Sequence, residues 1–179
     1  FMQKEMHEQP YVIKETLRAH IENDLAMPEL DGLDVSKVTQ IYFIACGTAY
    51  HASLYAQYIL RIWVDLPIHC ISASEFRYGN YRINEKTLCI FVSQSGETAD
   101  TLAALKLSKE EGAQTLSITN VLGSSLARLS DFVLYTCAGP EIAVASTKAY
   151  TTQLVLLMCL CLKLTSLFNG NVENKKYMI

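Results

Sequence analysis

The sequence lacks the patterns that mark several common classes of protein. Its six cysteines form no Cys-x-x-Cys pair, so neither a zinc site nor a framework of disulfide bonds is expected. This cysteine usage fits a reducing cytoplasm. No Gly-x-Gly-x-x-Gly or Gly-x-x-x-x-Gly-Lys-Ser/Thr motif is present, which argues against dinucleotide binding and against a P-loop. We therefore expect no metal and no cofactor.

Positive charge and long apolar runs are also scarce. Lys and Arg number 15 against 18 Asp and Glu, and the formal net charge is −3, so a nucleic-acid partner is not expected. The longest apolar run, residues 154–162, is too short to cross a bilayer and predicts a buried helix. The polar, charged start does not have the pattern of a signal peptide, and no membrane association is expected.

Half of the 179 residues are apolar, which is ample for the core of one large domain. Residues 3–25 have a helical pattern that Pro10 and the segment 27–29 are expected to interrupt. Three segments follow from these features: a linker helix region at 1–34, a main domain at 35–168 and a polar tail at 169–179. Phe1 at the start and the polar tail predict that the chain is part of a longer protein.

Short apolar stretches alternate with helical patterns along the main domain. Strands are expected at 41–45, 68–71, 87–92, 115–119 and 132–135. Continuous apolar runs are typical of strands buried on both faces, and strands separated by helices form a parallel sheet. The sequence therefore predicts an α/β three-layer sandwich with a five-stranded parallel sheet, flavodoxin-like in architecture and preceded by a linker helix. A long final helix at 147–168 has an apolar face that predicts self-association.

The run Ser-Gln-Ser-Gly-Glu-Thr at residues 93–98 lies between the third strand and the helix that follows it. Backbone N–H groups in the first turn of a helix lack partners, and the helix dipole adds partial positive charge. A phosphate can therefore bind here without a nearby Lys or Arg, and Gly96 allows a close approach. The alternative is an ordinary polar helix cap. A second turn, Gly47-Thr48, ends the first strand, and ligands of doubly wound sheets bind at such carboxyl ends.

Three stretches, at residues 44–48, 92–101 and 138–151, resemble in sequence and order the isomerase region of the glutamine–fructose-6-phosphate aminotransferase family. The resemblance extends over about residues 1–165. It implies the first of two tandem sugar isomerase (SIS) domains that follow a glutaminase domain in a homodimer. The family makes glucosamine 6-phosphate from fructose 6-phosphate and glutamine, in amino sugar biosynthesis.

The resemblance also implies which residues contact the sugar phosphate. They are Thr48 and Ala49 after the first strand, Ser93, Gln94, Ser95 and Thr98 around the phosphate, and Val144 and Ser146 at the sugar end. Ala49 stands where the family usually has Ser, so that only the backbone can contribute at this position.

No catalytic residue is expected in this chain. The reaction needs a Lys to form an imine, a base and a group that opens the sugar ring, which the resemblance assigns to the second SIS domain or a neighbouring subunit. Cys46 and His51 are expected to be structural. Lys148 is expected to pair with Glu141, and contact with an anion is the alternative. Two alternatives stay open: a sugar-phosphate sensor of a transcription regulator, and a standalone phosphosugar isomerase.

Overall fold

A computed structural model of the chain describes residues 1–21 and 27–168. Its strands are β1 (Gln40–Ala45), β2 (Ile68–Ser72), β3 (Thr87–Ser93), β4 (Gln114–Thr119) and β5 (Phe132–Tyr135). They form one sheet in the order β2-β1-β3-β4-β5, and every neighbouring pair is parallel. The polar tail predicted at 169–179 and the end of the helical pattern, at 22–25, lie outside the described residues.

The helices are α1 (Met2–His20), α2 (Gly47–Trp63), α3 (Ala73–Phe76), α4 (Ala99–Glu110), α5 (Ser125–Leu129) and α6 (Lys148–Leu167), with a 3₁₀ turn at Pro28–Leu30. The N-terminal helix, the helix after the third strand and the long final helix agree with expectation, whereas the short α3 was not predicted. The predicted strands agree with the structure to within one residue at each end.

Two apolar cores lie on opposite faces of the sheet, because alternate residues of a strand point to opposite sides. Phe43 and Ile90 pack on one face, together with α2 and α6. Ile44 and Phe91 pack on the other face, together with residues of α3, α4 and α5. All four side chains are fully buried. The predicted three-layer α/β sandwich is confirmed.

The strand order places a topological switch point between β1 and β3. From β1 the chain crosses to β2 at one edge, and from β3 it continues toward β4 and β5 at the other. The loops that follow β1 and β3 therefore diverge to opposite faces of the sheet, and a crevice opens between them. Residues 46–48 and the 93–98 loop both lie at this crevice.

The final helix α6 is a core element of this fold. Within the described ranges it is the one helix long and apolar enough to cross a membrane by length and composition, yet 61% of that window is buried. Residues 156–162 are buried, and α6 packs against both α1 and α2. The apolar face that we expected to drive self-association is thus largely covered by the chain itself, because α1 packs on it.

Pro10 does not interrupt α1, which corrects the expectation from the sequence. A proline inside a helix lacks the N–H that would bond the carbonyl four residues earlier, here the carbonyl of Met6. The side-chain amide of Gln9 donates to this carbonyl at 3.2 Å and replaces the missing bond. The helix therefore continues as a single element from Met2 to His20.

Candidate functional site

A cavity of about 250 Å³ opens at the switch point, between the carboxyl ends of β1 and β3. We call it the switch-point cavity. Its walls are formed by Cys46, Gly47, Thr48, Ala49, Val92, Ser93, Gln94, Ser95, Thr98 and Gln153. The structure thus brings together six of the eight residues that the sequence resemblance assigns to a ligand, all except Val144 and Ser146.

The hydroxyl groups of the 93–98 loop converge on one another. Ser93 Oγ accepts a hydrogen bond from the backbone N–H of Gly96 at 3.1 Å, and it lies 3.1 Å from Thr98 Oγ1. Ser95 Oγ accepts from the backbone N–H of Glu97 at 3.2 Å. Each of these hydroxyls keeps hydrogen-bonding capacity for a ligand, since a hydroxyl offers one donor and two acceptor positions.

Two helices begin at the cavity without a side-chain cap. Cys46 is the N-cap of α2 and Thr98 is the N-cap of α4, and neither side chain accepts a hydrogen bond from its helix. Ser124, by contrast, caps α5 by accepting from the backbone N–H of Ala127 at 3.5 Å. The ordinary-cap alternative therefore does not hold for Thr98, whose hydroxyl faces Ser93 instead. The positive ends of both helix dipoles are directed at the cavity.

Thr48 and Ala49 lie in the first turn of α2. A cap role for Thr48 is excluded, because the helix begins at Gly47 and its N-cap is Cys46. Thr48 is exposed at the mouth of the cavity, whereas Ala49 is buried. A ligand can therefore reach the Thr48 hydroxyl, and at Ala49 it meets backbone and a methyl group.

Gly96 lets the 93–98 loop pack tightly against the loop after β4. Its φ is +65°, in the left-handed region, and a Cβ there would lie 2.2 Å from Ser124 Oγ and 2.8 Å from Thr119 Oγ1. A side chain at this position would therefore force the two loops apart.

Hydrogen bonds to the next loop fix the shape of the 93–98 loop without a ligand. The carbonyl of Gln94 accepts from the backbone N–H of Asn120 at 3.0 Å. The Glu97 carboxylate accepts from the backbone N–H of Ser125 at 2.7 Å. Bonds from the backbone and hydroxyl of Ser125 hold the pKa of Glu97 below its ordinary value, so that it stays ionised as a brace for the loop.

Among the residues that the structure describes, no charged side chain lines the switch-point cavity, so the binding groups there are backbone N–H groups, hydroxyls and amides. Helix N-termini hold phosphates with such neutral donors. Within residues 1–21 and 27–168, no group of His, Cys, Asp and Glu side chains could hold a metal ion.

Burial raises the pKa of the Cys70 and Cys89 thiols to about 12, which keeps them in the unreactive thiol form. His51 is exposed and does not line the cavity.

Val144 and Ser146 lie in the loop between β5 and α6, outside the cavity walls. The side chain of Val144 is fully exposed, and Ser146 Oγ donates to Glu141 Oε2 at 3.1 Å. Glu141 also accepts from the backbone N–H of Thr147 at 2.8 Å, at the start of α6. The carboxylate of Glu141 thus serves as the cap of α6.

Lys148 therefore has a different partner from the one expected. Its ammonium group lies 2.7 Å from the carboxylate of Glu8 on α1, and not against Glu141. Lys148 is buried, and this ion pair connects the start of α6 to the N-terminal helix. The hydrogen bond to Lys148 lowers the pKa of Glu8 from its ordinary value of 4.5.

The N-terminal helix also positions the loop that carries Val144. Glu5 is buried, and its Oε1 accepts from the backbone N–H groups of Ile142 at 2.7 Å and Ala143 at 3.2 Å. The helix α1, which was predicted as a linker, is therefore packed into the domain. Its Glu5 binds backbone N–H groups of the loop before α6, and its Glu8 binds the side chain of Lys148.

Gln153 is the residue of the cavity wall that the sequence analysis missed. It lies in the second turn of α6, is 2% exposed, and its Oε1 has no hydrogen-bond partner in the described structure. The signal available in the sequence is a glutamine next to the apolar run 154–162, but only the packing of α6 beside α2 brings it to the cavity.

The chain thus has a doubly wound parallel sheet with a cavity at its switch point, an architecture of α/β ligand-binding domains. Residues 34–163 match the SIS domain family, and the chain belongs to this family.

Within the family, the chain is similar to glutamine–fructose-6-phosphate aminotransferases (isomerizing). It is 51% identical to that of Caldanaerobacter subterraneus subsp. tengcongensis over 98% of the chain, and 52% identical to that of Clostridium tetani over 90%. The chain spans 29% and 27% of the lengths of these two relatives. The solved C-terminal domain of glucosamine-fructose-6-phosphate aminotransferase from Francisella tularensis has a TM-score of 0.90 and 38% identity, over 97% of this chain and 50% of that one. These findings confirm the resemblance stated from the sequence.

Proposed function

We propose that this chain binds the phosphate group of a sugar phosphate in the switch-point cavity. The observation that carries the proposal is the convergence of two helix N-termini without side-chain caps on the hydroxyls of Ser93, Ser95 and Thr98. An anion at this point would receive hydrogen bonds from first-turn N–H groups and from hydroxyls. Further contacts are proposed from three other residues of the cavity wall: Gln94, Thr48 and the backbone of Ala49.

The sugar phosphate is proposed to be fructose 6-phosphate as substrate and glucosamine 6-phosphate as product, because the similar relatives are named as aminotransferases of this reaction. The described part of the chain places no amine, carboxylate or imidazole side chain in the cavity wall, so the chain by itself is proposed to bind but not to catalyse. Fixing the phosphate would orient the reacting carbons for groups supplied from elsewhere.

Val144 and Ser146 are proposed to contact the sugar end of the ligand. Their loop leads directly into α6, and the second turn of that helix forms part of the cavity wall. The loop is anchored to α1 at Ile142 and Ala143, which would hold it near the mouth of the cavity.

The assembly is proposed from the resemblance and the family. The proposed units are a linker helix region at 1–34, the SIS domain at 35–168 and a tail at 169–179 that leads to a second SIS domain. The match to the SIS family begins at residue 34, which supports a boundary between the linker helix region and the SIS domain at 34–35. A glutaminase domain, a homodimer and a cytoplasmic location complete the proposal.

Calorimetric titration of the purified chain tests the binding proposal. Fructose 6-phosphate and glucosamine 6-phosphate are the ligands, with fructose and inorganic phosphate as references. A variant carrying Ser95→Ala and Thr98→Ala should weaken binding of both sugar phosphates by about 100-fold, because two hydroxyl contacts to an anion are lost. Thr39→Ala is the matched control, since Thr39 is an exposed threonine just before β1, at the opposite end of that strand from the cavity.

The proposal predicts that fructose without phosphate does not bind measurably. A wild-type chain that binds neither sugar phosphate would contradict it. Unchanged binding by the double variant would also contradict it, because the ligand would then lie elsewhere.

A further inference from the structure

Five residues of the described structure have a buried side-chain oxygen without a hydrogen-bond partner, and of these five Gln153 is the one that lines the switch-point cavity. Only 2% of the residue is exposed, and Oε1 is fully covered yet accepts no hydrogen bond within the described structure. Leaving a buried polar atom unpaired destabilises a fold, so such atoms are rare and call for a reason. Here the residue lines the switch-point cavity together with the hydroxyl-bearing residues of the 93–98 loop.

The chemistry of the missing partner follows from the atom that lacks it. An amide oxygen accepts hydrogen bonds and therefore needs a donor. A phosphate dianion offers only acceptors, and the 93–98 loop already presents donors that suit it. The hydroxyl groups of the sugar are the donors that a sugar phosphate would bring into this cavity. The last torsion of a glutamine side chain has a broad energy profile, so Oε1 can turn toward the ligand at little cost.

We infer that Gln153 is a specificity-determining residue whose side-chain oxygen accepts a hydrogen bond from a hydroxyl of the sugar, while the 93–98 loop holds the phosphate. The inference rests on the proposed function, because it requires a sugar phosphate in the switch-point cavity. It adds a contact from α6 to the sugar contacts proposed for Val144 and Ser146, and it leaves the recognition of the phosphate to the β3–α4 loop.

The experiment separates the two parts of the ligand. NMR titrations of the wild-type chain and of Gln153→Met measure Kd for fructose 6-phosphate and for inorganic phosphate. Gln153→Met should raise the Kd of fructose 6-phosphate about tenfold, the size of one hydrogen bond to a well-placed group. It should change the Kd of inorganic phosphate by less than about twofold. Its melting temperature should equal or exceed that of the wild type, because an unpaired buried amide is removed.

Gln57→Met is the matched control. Gln57 on α2 donates to the carbonyl of Ile68 at 2.9 Å, so that its amide serves the fold. This variant should have a lower melting temperature and unchanged affinity for both ligands. Gln153→Leu is measured as well, because a second apolar side chain of another shape separates loss of the amide from poor packing.

Each outcome decides between alternatives. Equal weakening of both ligands by Gln153→Met overturns the inference, because Gln153 would then contact the phosphate. Unchanged affinity for fructose 6-phosphate overturns it as well, and so does a lower melting temperature or a failure to fold in both Gln153 variants. If the wild-type chain binds neither ligand, the proposed function itself fails. If it binds both and only the sugar phosphate depends on Gln153, the inference stands.

Discussion

Two residues at the switch-point cavity use their side chains differently from similar residues elsewhere in the chain. Thr98 occupies an N-cap position without capping, although Ser124 caps its helix nearby. Gln153 is buried with an unpaired oxygen, although Gln57 uses its amide within the fold. An unpaired buried acceptor beside hydroxyls with spare hydrogen-bonding capacity is typical of a binding site, since a ligand can supply the missing bond.

Gly96 provides a test at this scale. Gly96→Ala should lower the free energy of unfolding by about 2–4 kcal/mol, because the new Cβ meets the Ser124 side chain and the backbone has a positive φ. Gly123→Ala is the control, since Gly123 has a φ of +66° and nothing within 4 Å of its ideal Cβ. The free energy of unfolding of Gly123→Ala should fall by only about 1 kcal/mol, because backbone strain is its one source of destabilisation. Urea denaturation measures the free energy of unfolding of both variants. If the two values fall equally, the 93–98 loop and the loop after β4 can move apart without cost, and the prediction is wrong.

Among the elements, α6 is held at its start by side chains from two other segments. Its first turn is capped by the carboxylate of Glu141, from the preceding loop. Its side chains Lys148 and Thr151 bind Glu8 and Gln9 of α1. The start of α6 thus joins the loop after β5, the N-terminal helix and the cavity wall.

Removal of the α6 cap is the prediction for this element. Glu141→Ala should destabilise the chain by about 1–2 kcal/mol, because backbone N–H groups at the helix start lose their acceptor. Thermal denaturation followed by circular dichroism measures the loss. Glu110→Ala is the control, as Glu110 is exposed at the end of α4 and makes no ion pair within the described ranges. A loss as small as that of the control would show that Glu141 contributes nothing as a cap.

For the whole molecule, the N-terminal helix is attached to the domain by polar side chains. Glu5 binds the loop before α6, and Glu8 binds Lys148. At the other end of α1, His20 Nε2 lies 2.6 Å from the carbonyl of Tyr135. Lys148 is buried and Glu8 is partly exposed, so removing the charge of Glu8 leaves a buried ammonium group uncompensated. The stability of the fold should therefore respond to the protonation of Glu8.

The pH dependence of stability tests this attachment. The folded-state pKa of Glu8 is below its ordinary value of 4.5, so its contribution is complete above about pH 4.5 and is lost as pH falls through the folded value. The melting temperature of the wild type should thus decline as pH falls from about 5 toward about 3. Glu8→Gln should melt at a lower temperature at about pH 7, with a smaller decline on acidification.

Glu110→Gln serves as the control for this titration and should follow the wild type. Parallel pH profiles of the wild type and Glu8→Gln would contradict a role for the Glu8–Lys148 pair in holding α1 on the domain.

The sequence by itself determined the strands and the turns that follow them, because these depend on residues close together along the chain. Continuous apolar runs predict strands that are buried on both faces, and the strands are found to within a residue. The turns at 47–48 and 93–98 are recognisable because small polar residues and glycine follow those strands directly. In a parallel sheet, the carboxyl ends of adjacent strands lie at one edge, so the residues of these turns could be expected to meet.

The tertiary structure alone decided which remote segments meet. Lys148 pairs with Glu8 and not with the nearby Glu141, because α1 packs on α6 and because Glu141 binds the backbone N–H groups of the helix start. Gln153 reaches the cavity only because α6 packs beside α2. The irregular loop that carries Val144 is held by a buried carboxylate of α1, far away in the sequence. Such contacts depend on how helices pack in three dimensions, which local residue patterns do not encode.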